Sequence, residues 1–304
     1  MTQQHIPTNR WMPYAALGIG ILALSLSAMF VRWAADAPGP ITGFYRMSLA
    51  AAILAPFVAV KCFKKCAIQP KTLIFPLIGG IATGCDLALW NTALSYTTAA
   101  NATLIGNTAP LWVALVGLIF FKERLGRDFW FGLMMALGGA ALIMGSDFIL
   151  HPRLGIGDLM TVGTSLFYAV YFLSTGKGRK FIDPLSYTWL IALFAALTLF
   201  IINVFLQNPF GGFSNTTWLS FLGAALISQV IGYFSMTYAL GHLPASIVSP
   251  TMIGQPVMTT LLAIPLLGEI PGKYQLIGGA IALTGIYLVN QAHARSEKAK
   301  NGTL

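Results

Sequence analysis

The sequence is poor in charged residues. Of its 304 residues, 18 are Lys or Arg and nine are Asp or Glu, so that 9% are charged, against about 25% in ordinary soluble domains. Hydrophobic residues make up 56% of the chain, and the mean hydropathy is +0.74. So few polar side chains cannot cover a large surface in water, which argues against a soluble domain and against disorder.

Residues that commonly carry catalysis are also scarce. The three cysteines are too few for a disulfide framework, and Cys62 and Cys66 have no nearby histidine to complete a zinc site. The four histidines fall in predicted tails or loops, and no Gly-x4-Gly-Lys-Ser/Thr phosphate loop is present. We therefore expect no metal, no cofactor and no enzymatic activity. An intramembrane enzyme and a channel or sensor are the weaker alternatives from other classes.

Ten apolar segments of about 20 residues, the length that crosses a bilayer, recur along the chain. They cover residues 13–33, 40–60, 73–95, 99–121, 128–145, 157–175, 185–206, 217–240, 244–267 and 274–291. The connections are short and rich in Pro and Gly, which leaves no room for a soluble domain. We predict an all-α polytopic membrane protein with ten transmembrane helices.

The positive charges indicate how these helices are oriented. If the N-terminus is cytoplasmic, 14 of the 18 Lys and Arg residues fall on the cytoplasmic side, whereas the acids divide evenly. A bias of cations alone is what the positive-inside rule describes. The net charge of +9 is therefore attributed to orientation and not to nucleic-acid binding. We expect a multi-pass protein of the cytoplasmic (inner) membrane with both termini in the cytoplasm.

The chain matches itself at an offset of 146 residues. Identical residues recur in five pairs, namely Pro110 and Pro256, Glu123 and Glu269, Gly126 and Gly272, Gly132 and Gly278, and Gly139 and Gly285. A repeat of five helices is odd, so the second copy enters the membrane from the opposite side, as in many transporters. The predicted organisation is a tail at 1–12, a first repeat at 13–145, an inverted second repeat at 157–291 and a cytoplasmic tail at 292–304.

Pro110 and Pro256 fall in the middle of the fourth and ninth predicted spans, with Gly106 and Gly254 close by. A proline removes one helix hydrogen bond, and in a bilayer the freed carbonyl needs a protein partner or a wet cavity. We interpret the matched pair as hinges beside a cavity; simple packing kinks are the alternative.

Several motifs resemble the EamA-type repeat of the drug/metabolite transporter superfamily. They are Gly43-Phe-Tyr-Arg-Met-Ser-Leu-Ala, Trp90-Asn-Thr-Ala-Leu-Ser-Tyr, Phe121-Lys-Glu-Arg-Leu and, in the second copy, Leu267-Gly-Glu-Ile-Pro-Gly-Lys-Tyr-Gln. The resemblance covers roughly residues 14–290. It implies ten spans in two inverted halves and the export of amino acids, related metabolites or drugs. The residues taken alone lead only to an inverted-repeat transporter.

Asp86 is the one carboxylate well inside an apolar segment. Because a buried Asp costs about 2.5–3.5 kcal/mol on membrane-insertion scales, we expect a partner or a wet cavity beside it. It is interpreted either as a proton-binding group or as an anchor for a substrate ammonium, with Trp90 one turn away adding a cation–π wall. A structural ion pair, with Arg46 for example, is the alternative.

Arg46 lies inside the second span, where it can bind a substrate carboxylate or extend its long stem to the headgroups. Further polar and aromatic residues of spans three, four, six, eight and nine are candidates for the same cavity, with hydrogen bonding between helices as the alternative for each one. These candidates are Asn91, Asn101, Asn107, Tyr168, Gln229, Tyr233, Tyr238 and Gln255.

The sequence thus predicts a secondary active transporter that exports amino acids or related small metabolites by alternating access. Its expected partners are a small-molecule substrate, the lipid bilayer and, as the simplest coupling ion, protons; nucleic acid is not expected, and a monomer is. An exchanger or uniporter of the same fold, acting on drugs, amines or nucleosides, remains the alternative.

Overall fold

A computed structural model describes residues 11–65, 69–93, 96, 105–120, 122–123, 125–144, 155–267 and 272–301. The regular structure within these ranges is helical throughout. The helices are α1 Met12–Ser25, α2 Ser27–Trp33, α3 Gly39–Lys65, α4 Ile74–Ala93, α5 Ala109–Phe120, α6 Arg127–Met144, α7 Ile156–Gly178, α8 Pro184–Phe205, α9 Asn215–Gly223, α10 Phe234–Leu240, α11 Ala245–Thr251, α12 Gly254–Leu267 and α13 Lys273–Asn301, together with a 3₁₀ turn Pro70–Leu73 and a π-helix Ala224–Tyr233.

Six helical segments of the described chain are long and apolar enough to cross a membrane, and they coincide with the predicted spans one, two, three, six, seven and eight. They are Met12–Trp33, Gly39–Lys61, Pro70–Ala93, Ile156–Gly178, Pro184–Phe205 and Asn215–Leu240. The other four predicted spans fall on helices that are short, interrupted or polar at one end, such as the shorter apolar helix Ala109–Phe120. The all-helical membrane class is confirmed, and the count of ten spans stays a prediction.

The surface of the helical bundle is apolar. Large side chains such as Phe57, Phe120 and Phe205 are 62%, 73% and 83% exposed. The interior instead contains many alanines and buried Ser and Thr residues. This distribution suits a protein surrounded by lipid, because the solvent outside is as apolar as a core and small residues allow helices to approach closely.

The helix contacts repeat when the two halves are exchanged. Helix α1 packs on the π-helix, and its counterpart α7 packs on α4, the counterpart of the π-helix. Helix α5 corresponds to α12, and the contact of α1 with α12 is repeated by that of α7 with α5. Helix α3 corresponds to α8, and the contact of α3 with the π-helix is repeated by that of α8 with α4. Two further contacts, between α3 and α8 and between α6 and α13, join equivalent helices directly. The sequence repeat at offset 146 is therefore also a repeat in packing.

Four glycines let α6 and α13 cross with their backbones in contact. A Cβ atom added to Gly278 would lie 2.7 Å from the carbonyl oxygen of Gly139, and one on Gly132 would lie 2.9 Å from that of Gly285. Gly132 near the start of α6 faces Gly285, and the later Gly139 faces the earlier Gly278, so the two helices run antiparallel. We call this set the glycine crossing. The contact lies within one chain.

Two acidic residues join the halves at opposite ends of α3. Asp183 accepts hydrogen bonds from the amides of Leu185 and Ser186, both at 3.1 Å, and pairs with Lys61 at 2.7 Å. Burial opposes ionisation of Asp183, but the contacts with Lys61 and Ser186 outweigh it and lower its pKa.

At the other end of α3, Asp36 accepts hydrogen bonds from the Thr217 hydroxyl and from the Ser214 amide, the latter at 2.7 Å. The Thr217 hydroxyl is the main cause of a lowered pKa at Asp36. Asp36 belongs to the first half, and both of its partners belong to the second. Each end of the bundle thus has a hydrogen-bonded carboxylate that crosses between the halves.

The segment 292–304, predicted as a cytoplasmic tail, is helical as far as Asn301, where α13 ends, because Ala, Arg, Glu and Lys in this stretch are good helix formers. The Glu123 carboxylate approaches Gly117 of the preceding helix. Glu269, Cys62 and Cys66 lie outside the residues whose side chains are described.

Candidate functional site

A buried acid and a buried base adjoin each other between the halves. Asp86 on α4 is 8% exposed, and Arg46 on α3 is 6% exposed. Their charges interact, yet the two side chains form no ion pair within 4.0 Å. Because charge burial in a membrane is costly unless the charge is neutralised or hydrogen-bonded, the surroundings of both groups decide what they do.

Arg46 is held by the second half and by helix α2 of the first predicted span. Its Nη1 donates to the hydroxyl of Ser27 at 2.8 Å, and its Nε donates to Oε1 of Gln229 at 3.3 Å. The guanidinium also lies 5.5 Å from the centre of the Tyr233 ring, within cation–π distance. These contacts hold the side chain inside the bundle, so Arg46 does not extend to the headgroups.

The partners of Arg46 lie on irregular helical segments. Ser27 follows directly after the interruption between α1 and α2 at Leu26. Gln229 and Tyr233 belong to the ten-residue π-helix. π-Helical turns are rare and are frequently found at functional sites, because the wider turn changes the direction of side chains.

Two polar groups at this site lack a protein partner. Gln229 is fully buried, and its Nε2 amide group has no hydrogen-bond acceptor. Among the described residues, no hydrogen bond is donated to the carboxylate of Asp86. An unpaired buried polar group costs about 1–3 kcal/mol and more when it is charged. The site therefore has a spare donor and a spare acceptor close to Arg46.

Aromatic rings form a wall beside these groups. The Tyr233 ring lies 5.4 Å from that of Tyr171, which lies 6.0 Å from that of Tyr168. Tyr168 also interacts electrostatically with Asp86 and Arg46, and its hydroxyl is 3.9 Å from the sulfur of Met236. The structure thus brings Asp86, Arg46, Gln229, Tyr233 and Tyr168 together. Their role in binding a substrate stays a prediction.

Other candidates lie apart from this group. Asn91 donates to the carbonyl of Gly39 at 2.9 Å, and Tyr238 packs on the ring of His242, 4.4 Å away. Trp90 is half-buried one turn after Asp86. Asn101 lies outside the described residues.

The two prolines stand beside matched helix interruptions. The helical pattern breaks at residues 107–108, just before Pro110, and at residues 252–253, just before Pro256. These positions agree within one residue under the 146-residue offset. Asn107 lies in the first interruption, and both prolines are buried.

Gln255 connects the second of these interruptions to the one in the first span. Its Nε2 donates to the carbonyl of Leu24 at 3.1 Å, and its own carbonyl accepts from the Ser25 hydroxyl at 3.1 Å. Thr259 adds a bond to the carbonyl of Ser25 at 3.2 Å. Sequence reasoning missed Ser25 and Ser27; their signal was a pair of serines inside an otherwise apolar span.

Comparison with known proteins identifies the family of this chain. The sequence pattern of EamA-like transporters matches the chain twice, over residues 11–145 and 155–291. The chain belongs to the EamA-like transporter family. Asp86 and Arg46 come from the first EamA repeat, whereas Tyr168, Gln229 and Tyr233 come from the second. The candidate site therefore lies where the two repeats meet.

Relatives are similar over nearly their whole length. An uncharacterized transporter of Archaeoglobus fulgidus is 28% identical, with 90% of this chain and 95% of that protein covered. A probable terminal-alkyne amino-acid exporter of Streptantibioticus cattleyicolor is 26% identical, with 90% and 85% covered. A crystal structure superimposes with a TM-score of 0.77 at 18% identity and covers 95% of this chain and 100% of that one, so the fold is shared with a solved protein.

Proposed function

We propose that this EamA-like protein is a secondary active transporter that exports amino acids or related small metabolites by alternating access. It would have ten spans in two inverted halves, with both termini in the cytoplasm. The proposal is supported by the transporter family, by the named amino-acid exporter among the relatives and by a buried polar site between the repeats. No phosphate-binding loop of the Walker type occurs in the sequence, so a gradient is the proposed energy source.

The observation that carries the substrate class is the pair of unsatisfied groups beside Arg46. The Nε2 group of Gln229 lacks an acceptor, and a substrate carboxylate would accept from it and from the Arg46 guanidinium. The Asp86 carboxylate lacks a donor among the described residues, and a substrate ammonium would supply one. An amino acid has both groups and would satisfy both ends of the site in one binding event.

The movement is assigned to the helix interruptions before Pro110 and Pro256. Helices without a continuous hydrogen-bond ladder bend at lower cost, and inverted repeats in transporters exchange conformations around a central site. In this proposal the two halves rock about these positions and expose the Arg46 site to one side at a time. Asp86 then carries either the substrate ammonium or a coupling proton, and the experiment below separates the two.

The test is counterflow in proteoliposomes with ¹⁴C-labelled L-amino acids, and with labelled choline and uridine as an amine and a nucleoside. The variant is Asp86→Asn, and the control is Asp128→Asn, because Asp128 makes only an exposed ion pair with Arg295. Loss of a charge-assisted hydrogen bond is worth about 1.5–3 kcal/mol, so Asp86→Asn should reduce amino-acid exchange about tenfold or more. The control should exchange at the wild-type rate.

The other outcomes are equally informative. If Asp86→Asn exchanges amino acids normally but no longer accumulates them against a pH gradient, Asp86 binds the coupling proton and the ammonium assignment is wrong. If wild type exchanges choline or uridine but no amino acid, the proposed substrate class is wrong. Exchange of no compound by wild type would remove the support for a transporter of small metabolites.

A further inference from the structure

Hydroxyl groups form a line along one face of α7. They belong to Thr161, Thr164, Ser165, Tyr168, Tyr171 and Thr175, whose spacings of three and four residues place them on the same face of a helix. Five of the six are buried, and Tyr168 is half-buried. Helix α7 packs on α4, α5, α10 and α11, so this polar face is directed into the bundle and not towards lipid. We call it the hydroxyl line.

Part of the hydroxyl line has ordinary hydrogen-bond partners. Thr161 donates to a carbonyl of its own helix at 2.7 Å. Ser165 donates to Val162 at 2.8 Å and accepts from the indole of Trp112 at 2.9 Å. The Tyr171 hydroxyl lies 3.3 Å from that of Thr237. These bonds account for three hydroxyls as connections within or between helices.

Tyr168 contacts the sulfur of Met236, but the other two hydroxyls of the line have no such contact. Thr164 and Thr175 are 4% and 0% exposed, and the Oγ1 atom of each has no hydrogen-bond partner. On α8, the hydroxyl of the fully buried Tyr187 also lacks a partner, as does that of Ser249 on α11. Buried polar groups are almost always satisfied, so the three unsatisfied hydroxyls of α7 and α8 require an explanation.

The polar face of α7 is not repeated in the first half. There, the counterparts of the hydroxyl line at offset 146 are mostly apolar: Ala15, Gly18, Ile19, Leu22, Ser25 and Met29. The first four of these are exposed on the surface of α1, whereas the hydroxyl line of α7 is directed into the bundle. The buried hydroxyls are therefore particular to the second half.

The hydroxyl line also has a defined course through the molecule. Its centre adjoins the candidate site, since the Tyr171 ring lies 5.4 Å from that of Tyr233. Beyond Thr175 it leads to Arg179, which donates to the carbonyl of Thr237 at 3.0 Å. The Tyr187 hydroxyl lies near the side chains of Thr175 and Ser174 and near the charge of Arg179, without forming a hydrogen bond within 3.5 Å. The course ends at the partly exposed pair of Lys61 and Asp183.

We infer that Tyr171, Thr175 and Tyr187 line the route by which a polar substrate moves between the Arg46 site and the end of the bundle marked by Lys61 and Asp183. This inference rests on the proposed transport function. When the halves part at that end, the unsatisfied hydroxyls bind water or the passing ammonium and carboxylate groups, and so replace part of their hydration. In the arrangement described here the hydroxyls of Thr175 and Tyr187 are buried without partners.

The first test removes an unsatisfied hydroxyl, which valine replaces by a methyl group and phenylalanine by a hydrogen atom. Thr175→Val and Tyr187→Phe are compared with Thr198→Val, because the Thr198 hydroxyl bonds to its own helix at 2.8 Å and lies off the route. Loss of one hydrogen bond to the moving substrate should slow amino-acid counterflow about fivefold in the first two variants. The control should show the wild-type rate.

Thermal melting separates this role from a structural one. Removing a buried hydroxyl that has no partner should leave the melting temperature unchanged or raise it. Slower counterflow with an unchanged or higher melting temperature supports the route. Wild-type counterflow in both Thr175→Val and Tyr187→Phe overturns it, and slower counterflow with a lower melting temperature assigns these hydroxyls to stability instead.

A second test needs no substrate and keeps the inference separate from the proposed function. Thr175→Cys and Thr198→Cys are made in a chain in which Cys62, Cys66 and Cys85 are replaced by serine. Each variant, in proteoliposomes, reacts with a membrane-impermeant, positively charged methanethiosulfonate. Labelling at position 175 about tenfold faster than at position 198 would support a wet route, even if no amino acid is transported. Equal rates would overturn the inference.

Discussion

The glycine crossing offers the sharpest test of the fold, because two adjacent glycines on α6 have opposite surroundings. A Cβ on Gly139 would meet the backbone of α13, at 2.6 Å from the carbonyl oxygen of Gly278 and 2.7 Å from Cα of Ala282. A Cβ on Gly138 would meet no atom within 4 Å. The same change to alanine should therefore act oppositely at the two positions.

The magnitude follows from two opposing effects. Alanine is favoured over glycine inside a helix by about 0.8–1.0 kcal/mol, and this gain applies to both variants. Contacts below 3 Å with backbone atoms cannot be relieved by rotating a side chain, so α6 and α13 must separate at a cost of about 1–3 kcal/mol or more. We expect Gly138→Ala to be neutral or stabilising and Gly139→Ala to be destabilising.

The assay is thermal unfolding of the purified variants in detergent, followed by the reaction of the half-buried Cys85 thiol with a fluorescent maleimide. Gly279→Ala and Gly278→Ala form a second matched pair on α13, since a Cβ on Gly279 would lie 3.6 Å from Val257 whereas one on Gly278 would lie 2.7 Å from a backbone oxygen. Equal melting temperatures for Gly138→Ala and Gly139→Ala would show that the two helices do not cross here, and the packing repeat would lose its strongest support.

Two further predictions concern the ends of the bundle. The lowered pKa of Asp183 means that its stabilising effect is present above the ordinary value of 3.8 and is lost as the pH falls through the lowered value. Asp183→Asn should thus melt below wild type at neutral pH, with a difference that begins to decrease below about pH 4 and disappears once the pH is below the lowered pKa; a difference independent of pH would contradict this. At the other end, Asp36→Ala should speed hydrogen exchange at the amide of Ser214, whose acceptor it removes, and should leave exchange in α6 unchanged; an unaltered rate at Ser214 would show that this bond is not formed in the membrane.

Much of the fold could be predicted from the composition of the chain and from the spacing of its apolar segments and repeated residues. Apolar segments as long as the bilayer is thick indicated membrane-spanning helices. The Pro and Gly residues that match at offset 146 indicated the duplication. The two prolines were interpreted as hinges because each removes one helix hydrogen bond, and the helices are interrupted just before both of them; their role as hinges stays a prediction. The π-helix was not predictable, since Ala224–Tyr233 has no proline and reads as an ordinary apolar helix.

The charged residues of the candidate site could be selected from the sequence, whereas most of its hydrogen bonds could not. Asp86 and Arg46 stood out because charges are rare in apolar segments, and the structure places them in one electrostatic group. Ser27 and the unsatisfied hydroxyl of Thr175 were not found, because serine and threonine are common in membrane helices and usually bond to their own backbone. Which hydroxyls lack a partner depends on the packing of distant helices, and a single sequence does not report it.

The bonds made by Gln255 and Thr259 have a mechanical consequence. They satisfy the carbonyls of Leu24 and Ser25 at the interruption of the first span, and their own helix begins at the interruption of the ninth predicted span. A carbonyl left without a partner inside a bilayer costs several kcal/mol, so bending at one interruption without the other would break bonds that lipid cannot replace. The two bends, one in each repeat, are therefore expected to change together as a single concerted unit.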